Sequence, residues 1–587
     1  MAHLGIPRRA IGMTAALVTA LGLIAGAPSF ATERSKPTPH LKWKNANKEF
    51  VQRDGDQLTL DGRAFRFNGA NAYWLGLDEN VGGVAFPTRF RIKNALDTAK
   101  EQGLSVIRTH MMTSTGQDGE NPLAIMPRLG EYNEEAFDTI DYAIAYAGKL
   151  GIRLVLPLTD EWAYYHGGHR DFTEPLGLSS ADFYTDERAI DGYQDYVEYI
   201  LDRRNSLTGV KYVDDPTVLA WELGNELEGM TLDWINEQSA FIKSLAPNQL
   251  VAAGRRFDID PDTLKARDVD IVDVHYYPPT ATRVAADAAT VAAADKVYIA
   301  GEYGSPAASA ELLEPLVKNN DVTGMMYWSL FPHNDRGGFV PHDDGFTQHY
   351  PGETTKSQAQ NEAIKAYSRA LGYKTDTVPL EQPLITEVSA MNGINSVAWR
   401  GSAGASTYRI ERSDRHGKWV TVAEAPAEAS PIIDERPALT DVTYRVTAIK
   451  ANGKRATSDE VDVAGGTAVL VDPLESFLLT SAHDGVRIDP TDDGVEAVPT
   501  KAGASITWKR AGLETARFAV DPAAVRSIQI LASADGKRWT SLKKRIRPDR
   551  GQMWVEVRVP DGDFVKLVMN DAKHVAVSRA VLTARAD

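Results

Sequence analysis

The chain has 587 residues, 43% apolar and 25% charged, too many for one core and apolar enough for three or four folded domains rather than a disordered polymer. Its 80 acidic and 64 basic side chains leave a net charge of −16. That excludes the clustered positive field that nucleic acid or an anionic membrane requires, whereas a neutral polysaccharide is indifferent to the sign. With no cysteine, disulfides, thiolate metal sites and lipidated cysteine anchors are also excluded.

Residues 1–31 have the pattern of a signal peptide: Arg8 and Arg9, an apolar run from Ala10 to Gly26, then Ser29-Phe30-Ala31 with small residues where a signal peptidase reads. The run is at the short limit for spanning a bilayer, so the expectation is cleavage, secretion and no membrane association afterwards. Residues 32–47 are polar and contain Lys and Pro, as in a flexible leader. From 48 to 374, short apolar runs alternate with amphipathic stretches. Eight runs read as strands: Phe65-Ala72, Ser105-His110, Arg153-Leu158, Val218-Leu223, Leu250-Ala253, Ile271-His275, Val297-Ala300 and Gly324-Ser329. Several lack alternation, as parallel strands covered on both faces do. Helical spacing appears in Arg89 to Gln102, in Phe137-Ile140-Ile144-Ala147, and in Ser357 to Leu371. The fold class expected is α/β, a (β/α)8 TIM barrel rather than an open doubly wound sheet.

Beyond a Pro-containing linker at 375–383, helical periodicity ends. Residues 384–465 alternate as strands and resemble a fibronectin type III β-sandwich, with Trp399 and Tyr444 as expected core residues. Residues 469–587 read as a second sandwich, with late strands at Phe564-Val568 and from His574 to Leu582. This part resembles galactose-binding or discoidin-like modules, which implies a carbohydrate-binding role. The barrel is thus expected to be followed by two smaller all-β sandwich domains.

In such a barrel, reactive groups stand at the C-terminal ends of strands. The fourth run ends Trp221-Glu222-Leu223-Gly224-Asn225-Glu226 and the seventh ends Gly301-Glu302-Tyr303-Gly304. Two carboxylates at one rim are what glycosidic cleavage needs: one protonates the leaving oxygen, the other attacks or shields the anomeric carbon. One such Glu alone would read as a rim salt bridge; two beside glycines favour catalysis. Arg108, closing the second run, can hold a carboxylate ionised. Asn225 can bond the hydroxyl next to the reacting carbon, His275 and Tyr277 can orient a nucleophile, and Trp328 offers a flat face to a pyranose. Trp74, Trp162, Tyr164 and Tyr165 follow the first and third runs and can stack on further sugars or pack the rim. His166-Gly167-Gly168-His169 reads as a flexible stretch rather than a ligand set.

Asn68-Gly69-Ala70-Asn71-Ala72-Tyr73-Trp74, Asp214-Asp215-Pro216-Thr217 leading into Glu226, and His275-Tyr276-Tyr277-Pro278 together resemble glycoside hydrolase family five, on its plant and fungal endo-β-1,4-mannanase branch, from about Phe50 to Leu371. The resemblance implies a retaining double displacement on β-mannosidic, mannan-type chains without metal or cofactor; a monomer is expected. It assigns acid/base to Glu226 and nucleophile to Glu302, with Arg108, Asn225, His275, Tyr277 and Trp328 in support. An exo-acting β-mannosidase, an endoglucanase or transglycosylase, and a non-catalytic carbohydrate-binding protein are the alternatives. Two departures concern substrate: Leu227-Glu228-Gly229 replaces the branch's usual Pro after the acid/base, and Tyr303 replaces Phe. The loop Phe331 to Pro351, holding His333, Asp335, His342, Asp343, Asp344 and His349, does not map onto typical mannanases of the branch. It reads as a solvated polar loop or as a wall turning an open groove into a pocket; its ligand spacing is too irregular to count as a metal site.

Overall fold

In the computed structural model the described residues are 41 and 43–586, less 81, 392, 415–416, 427–428, 438, 493, 550–551 and 573–574. The expected signal at 1–31, residues 32–40, His574 and Asp587 lie outside them. Among the described residues no helix is long and apolar enough to cross a membrane.

A small antiparallel sheet of β1 (Gln52–Asp54), β2 (Gln57–Leu60) and β3 (Arg63–Ala64) precedes a closed barrel of eight parallel strands. These are β4 (Phe67–Asn71), β5 (Val106–Arg108), β6 (Arg153–Pro157), β7 (Val218–Glu222), β8 (Leu250–Arg256), β9 (Ile271–Tyr276), β10 (Val297–Gly304) and β11 (Val322–Trp328). Each coincides with one of the eight apolar runs. Inward residues such as Phe67, Val106, Val155, Ala220 and Met326 form one core, closed at the floor by Val51, Leu58 and Phe65. Their outward neighbours, among them Ala70, Ile107, Leu156 and Trp221, pack on the helices. Burial on both faces is why these runs are apolar without a break.

The connecting helices are α1 (Arg89–Glu101), α2 (Ala136–Leu150), α3 (Glu187–Leu201), α4 (Leu232–Leu245), α5 (Pro261–Lys265), α6 (Ala281–Ala293), α7 (Ala310–Val317) and α8 (Thr355–Ala370). Polar N-caps start most of them: the side chains of Thr88, Asp186, Thr231, Thr280, Ser309 and Thr354 each accept from a first-turn amide.

The polar leader is shorter than its sequence suggests. Trp43 packs edge-on against Tyr142 and Tyr146, Asn45 donates to Asp215 at 2.8 Å and Asn47 to the Ile152 carbonyl at 3.0 Å. The Pro-containing stretch 375–383 is likewise not free: Val378 N donates to Glu101 and Lys450 to the Val378 carbonyl, at 2.9 and 2.7 Å.

The C-terminal half is antiparallel β-structure. One sheet holds β14 (Thr407–Ser413), β15 (Trp419–Ala425), β17 (Val442–Ile449), β18 (Arg455–Thr457) and β19 (Val461–Val463). The other begins with β12 (Leu384–Met391), β13 (Ile394–Arg400) and β16 (Ile432–Pro437) and continues through β20 (Thr467–Asp472) into the last domain. Trp399, Tyr408 and Tyr444 are fully buried in the first core, and Trp508 in the second. The described residues form one compact unit.

Candidate active site

Strand ends deliver the predicted groups to one place. β10 carries a bulge: Ile299 pairs with Asp273, but Glu302 pairs with His275. The extra residue turns Glu302 into the barrel mouth, a common use of bulges beside reactive sites. Gly301 makes this possible, since a Cβ there would stand 2.0 Å from the Asp273 carboxylate, and its amide donates to that carboxylate at 2.6 Å. On the other side, Glu226 sits just beyond β7 at φ 52°, a left-handed conformation that costs a non-glycine residue about 1–2 kcal/mol. The turn is held by Asn225 N to Thr159 O and Glu161 N to Asn225 O.

Arg108, wholly buried, is the hub. It donates to Glu222 through two nitrogens at 2.8 and 3.1 Å, to Glu302 at 2.7 Å and to Asn225 Oδ1 at 2.7 Å. Burial works against its charge, but Glu222, Glu302 and Asp273 outweigh it and raise the guanidinium well above its ordinary value. Tyr277 donates to the other Glu302 oxygen at 2.7 Å. His275 Nδ1 lies 2.8 Å from Glu226 and 3.4 Å from Glu302, while its Nε2 faces Asp273 at 3.5 Å. One oxygen of each of Glu226 and Glu302 lies within 4.8 Å of the other and of His275.

The protonation pattern is not that of a protonated Glu226 beside an ionised Glu302. Burial pushes Glu302 up to about 7, against the pull of His275 and Arg108. Burial also raises Glu226, but the hydrogen bond and charge of His275, with the bond from Trp162, bring it below the ordinary range. His275 is the cause. Burial disfavours its charge, yet Glu302 and Asp273 raise it well above 6.5, which favours a proton on the imidazole between the two carboxylates.

The cleft has a volume of about 680 Å³ and is lined by Glu226, Glu302, Asn225, Tyr277 and Trp328, with aromatic walls. Trp162 is 44% exposed there and its indole N–H donates to Glu226 at 2.7 Å. Tyr164 also lines the cleft, whereas Tyr165 turns its hydroxyl to the Leu77 carbonyl. Trp74 does not reach substrate: it is fully buried, donates to the Leu330 carbonyl and stacks on Phe331.

The His166-to-His169 stretch is not loose. Both histidines are buried, and His169 Nε2 bonds Ser180 at 2.7 Å. His166 and His110 flank buried Asp160 at 3.4 and 3.5 Å. Asp160 in turn accepts from Asn225 Nδ2 at 2.9 Å and from Trp162 N at 3.0 Å. Arg108 NH1 stands 3.3 Å from His110 Nε2. A guanidinium can only donate, and this contact favours the His110 tautomer with its proton on Nδ1, toward Asp160. The site groups sequence reasoning missed are therefore Asp160, His110, Asp273, Arg256 and Phe257. Phe257, 49% exposed beside Trp162 and Arg256, follows a strand that runs three residues past the apolar run that marked it.

The polar loop of 331–351 gathers no metal-ligand set; among the described residues, the triplets close enough are His110-Asp160-His166, Glu222-Asp273-His275 and Glu226-His275-Glu302. Instead Asp344 accepts from the Trp328 indole at 2.8 Å, and His342 lies 3.4 Å from Tyr73 Oη and 3.2 Å from Asn80 Oδ1.

Residues 48–176 and 173–269 match the family described as GH family 5 beta-mannosidase-like, a span that includes Glu226 and stops short of Glu302. A putative mannan endo-1,4-beta-mannosidase 4 of Arabidopsis thaliana is 36% identical over 218 residues, 35% of this chain and 51% of that protein. Mannan endo-1,4-beta-mannosidase 1 of Oryza sativa is 37% identical over 219 residues, 35% of this chain and 48% of that protein. The chain thus spans about half the length of the curated relatives it matches. The solved endo-1,4-beta-mannanase of Rhizomucor miehei is 26% identical, covers 55% of this chain and 100% of its own, and gives a TM-score of 0.46. Over residues 48–269 the barrel portion of this chain is thus similar to the proteins described as GH family 5 beta-mannosidase-like.

Proposed function

We propose that the chain is a secreted, retaining β-glycoside hydrolase acting on β-mannosidic, mannan-type chains. The observation that carries this reading is the Glu226–Glu302 pair on the cleft floor, with carboxylate oxygens within 4.8 Å. That proximity supports the close pairing of about 5–5.5 Å used in double displacement over the wider gap of inversion, which must admit a water. Glu302, fixed by Arg108 and Tyr277, attacks the anomeric carbon as the bond to the leaving oxygen breaks. Glu226 protonates that oxygen. The proton comes along the 2.8 Å bond from His275 Nδ1, which turns the resting charge pair into an acid without a proton from solvent. Glu226 then deprotonates the water that releases the glycosyl ester.

A chain-end mode of action is supported by the cleft. Trp162 and Phe257 extend it on the Glu226 side, where the leaving group lies. Trp328, His342 and Asp344 also line the cleft, and the bonds of Asp344 to Trp328 and of His342 to Asn80 favour a wall there. The family description and the names of the relatives agree with mannosidic substrates. Export rests on the sequence of residues 1–31, and N-terminal sequencing of the extracellular protein checks it. Glu302→Ala and Glu226→Ala should each lower turnover on β-1,4-mannooligosaccharides by three or more orders of magnitude in a folded chain. Wild-type rates in either variant, or products of inverted anomeric configuration, would overturn the mechanism.

A further inference from the structure

We propose that the second domain is a specificity element of the barrel: through Thr386, Arg400 and Gly401 it holds loop 331–351 where that loop closes the cleft. This rests on the chain-end reading above.

The loop has two working faces. Its first part leans on the second domain. The His333 ring is buried and lies against Gly401, where a Cβ would come within 2.1 Å of it; any side chain there displaces the imidazole. Thr386 Oγ1 donates to the Arg336 carbonyl at 2.7 Å, and Arg400 Nε to the Asp335 carbonyl at 3.3 Å. Arg400 is itself fixed by Glu475 at 2.8 Å and by the Phe90 ring. The Asp335 carboxylate ties this part to α1 through Thr88 and Arg91, both at 2.5 Å.

The second part faces the cleft. Asp344 fixes the Trp328 indole, Phe346 packs 5.0 Å from the Tyr277 ring, and His342 bridges to Tyr73 and Asn80. A stack of rings joins the two parts: His333 on Phe339 at 4.8 Å, then Phe339 on His349 at 4.6 Å. Phe339 also packs against the second domain's core. Close-packed stacks of this kind shift as units rather than deform gradually, so loss of the support at 401 reaches the wall at 342–346.

The test uses the full chain with Gly401→Val and the milder Thr386→Ala. Hydrogen exchange at the amides of Ser329, Val340 and Gln348, which bond Phe346 O, Pro332 O and Ser329 O, reports on the loop without any activity. Faster exchange is expected at all three. On mannooligosaccharides, the variants should add internal cuts to the monosaccharide released by the wild type. Their preference for long over short chains, read as a ratio of kcat/KM values, should rise about tenfold, with kcat on the shortest substrate within about twofold because the Glu226–Glu302 pair is untouched. Folded variants with unchanged exchange, or with faster exchange but an unchanged product pattern, overturn the proposal. A wild-type chain inactive on every β-mannoside refutes the functional reading instead, and exchange alone then judges the buttress.

Discussion

Asp273→Asn isolates one of the two carboxylates, with Glu302, whose charge favours the proton on His275. Asp273 is buried, its Oδ1 accepts from Gly301 N at 2.6 Å, and its Oδ2 stands 3.5 Å from His275 Nε2 and 3.6 Å from Arg108. An asparagine keeps the volume and the acceptor for Gly301 but removes the charge. Two unit charges at that separation interact by roughly 5 kcal/mol at an effective dielectric of about 20. At about 1.4 kcal/mol per pK unit this is an upper bound of about three units on His275. In the wild type the imidazole is raised well above 6.5, so its proton is present at neutral pH and lost only as pH climbs through that raised value. In the variant the loss begins earlier: the alkaline limb of kcat/KM on a short mannooligosaccharide should move toward acid by at least about one unit. A folded Asp273→Asn protein whose alkaline limb does not move would show that His275 does not hold the working proton.

Trp162→Phe keeps the ring but removes the N–H that bonds Glu226 at 2.7 Å; kcat/KM should fall roughly tenfold or more, as for other hydrogen bonds to charged groups, and unchanged kinetics would remove Trp162 from the machinery. Phe257→Ala should raise KM on long chains about fivefold through lost stacking and leave kcat alone; an equal effect on the shortest substrate would contradict its place on the leaving-group side. Lys450→Met breaks a buried pair with Glu101, whose side chain is 1% exposed. Denaturant unfolding should show a loss of about 3 kcal/mol or more, partly recovered by also making Glu101→Gln, and wild-type stability in the single variant would deny the pair any role in joining barrel to second domain.

The barrel was legible because strands buried on both faces must be apolar throughout, and the two glutamates because they terminate such runs beside glycines. What stayed hidden was polar. The run at Leu250-Ala253 seemed to stop at Gly254, yet the strand continues through Arg255 and Arg256 and so carries Phe257 to the rim. Asp160 looks like a loop residue, and His110 like the end of a strand, until folding buries them around Asn225. Loop 331–351 stood out by composition, but its supports at Thr386, Arg400 and Gly401 come from another domain, and no local pattern links them. Trp74 misled for the converse reason: an aromatic after a strand is as readily packing as platform.

The register between β12 and β20, Glu387 with Leu470 and Val388 with Val469, carries one sheet across the boundary of the two C-terminal domains, and β20 pairs in turn with the final strand, Val577–Arg585. These domains are therefore not beads on a string. A cut near Gly465 would bare two ribbons of unpaired amides and carbonyls, each a template for sticking to another copy. The tail can be exchanged, inherited or discarded only as a whole, and engineers who wish to shorten the protein should expect insolubility from a half-measure.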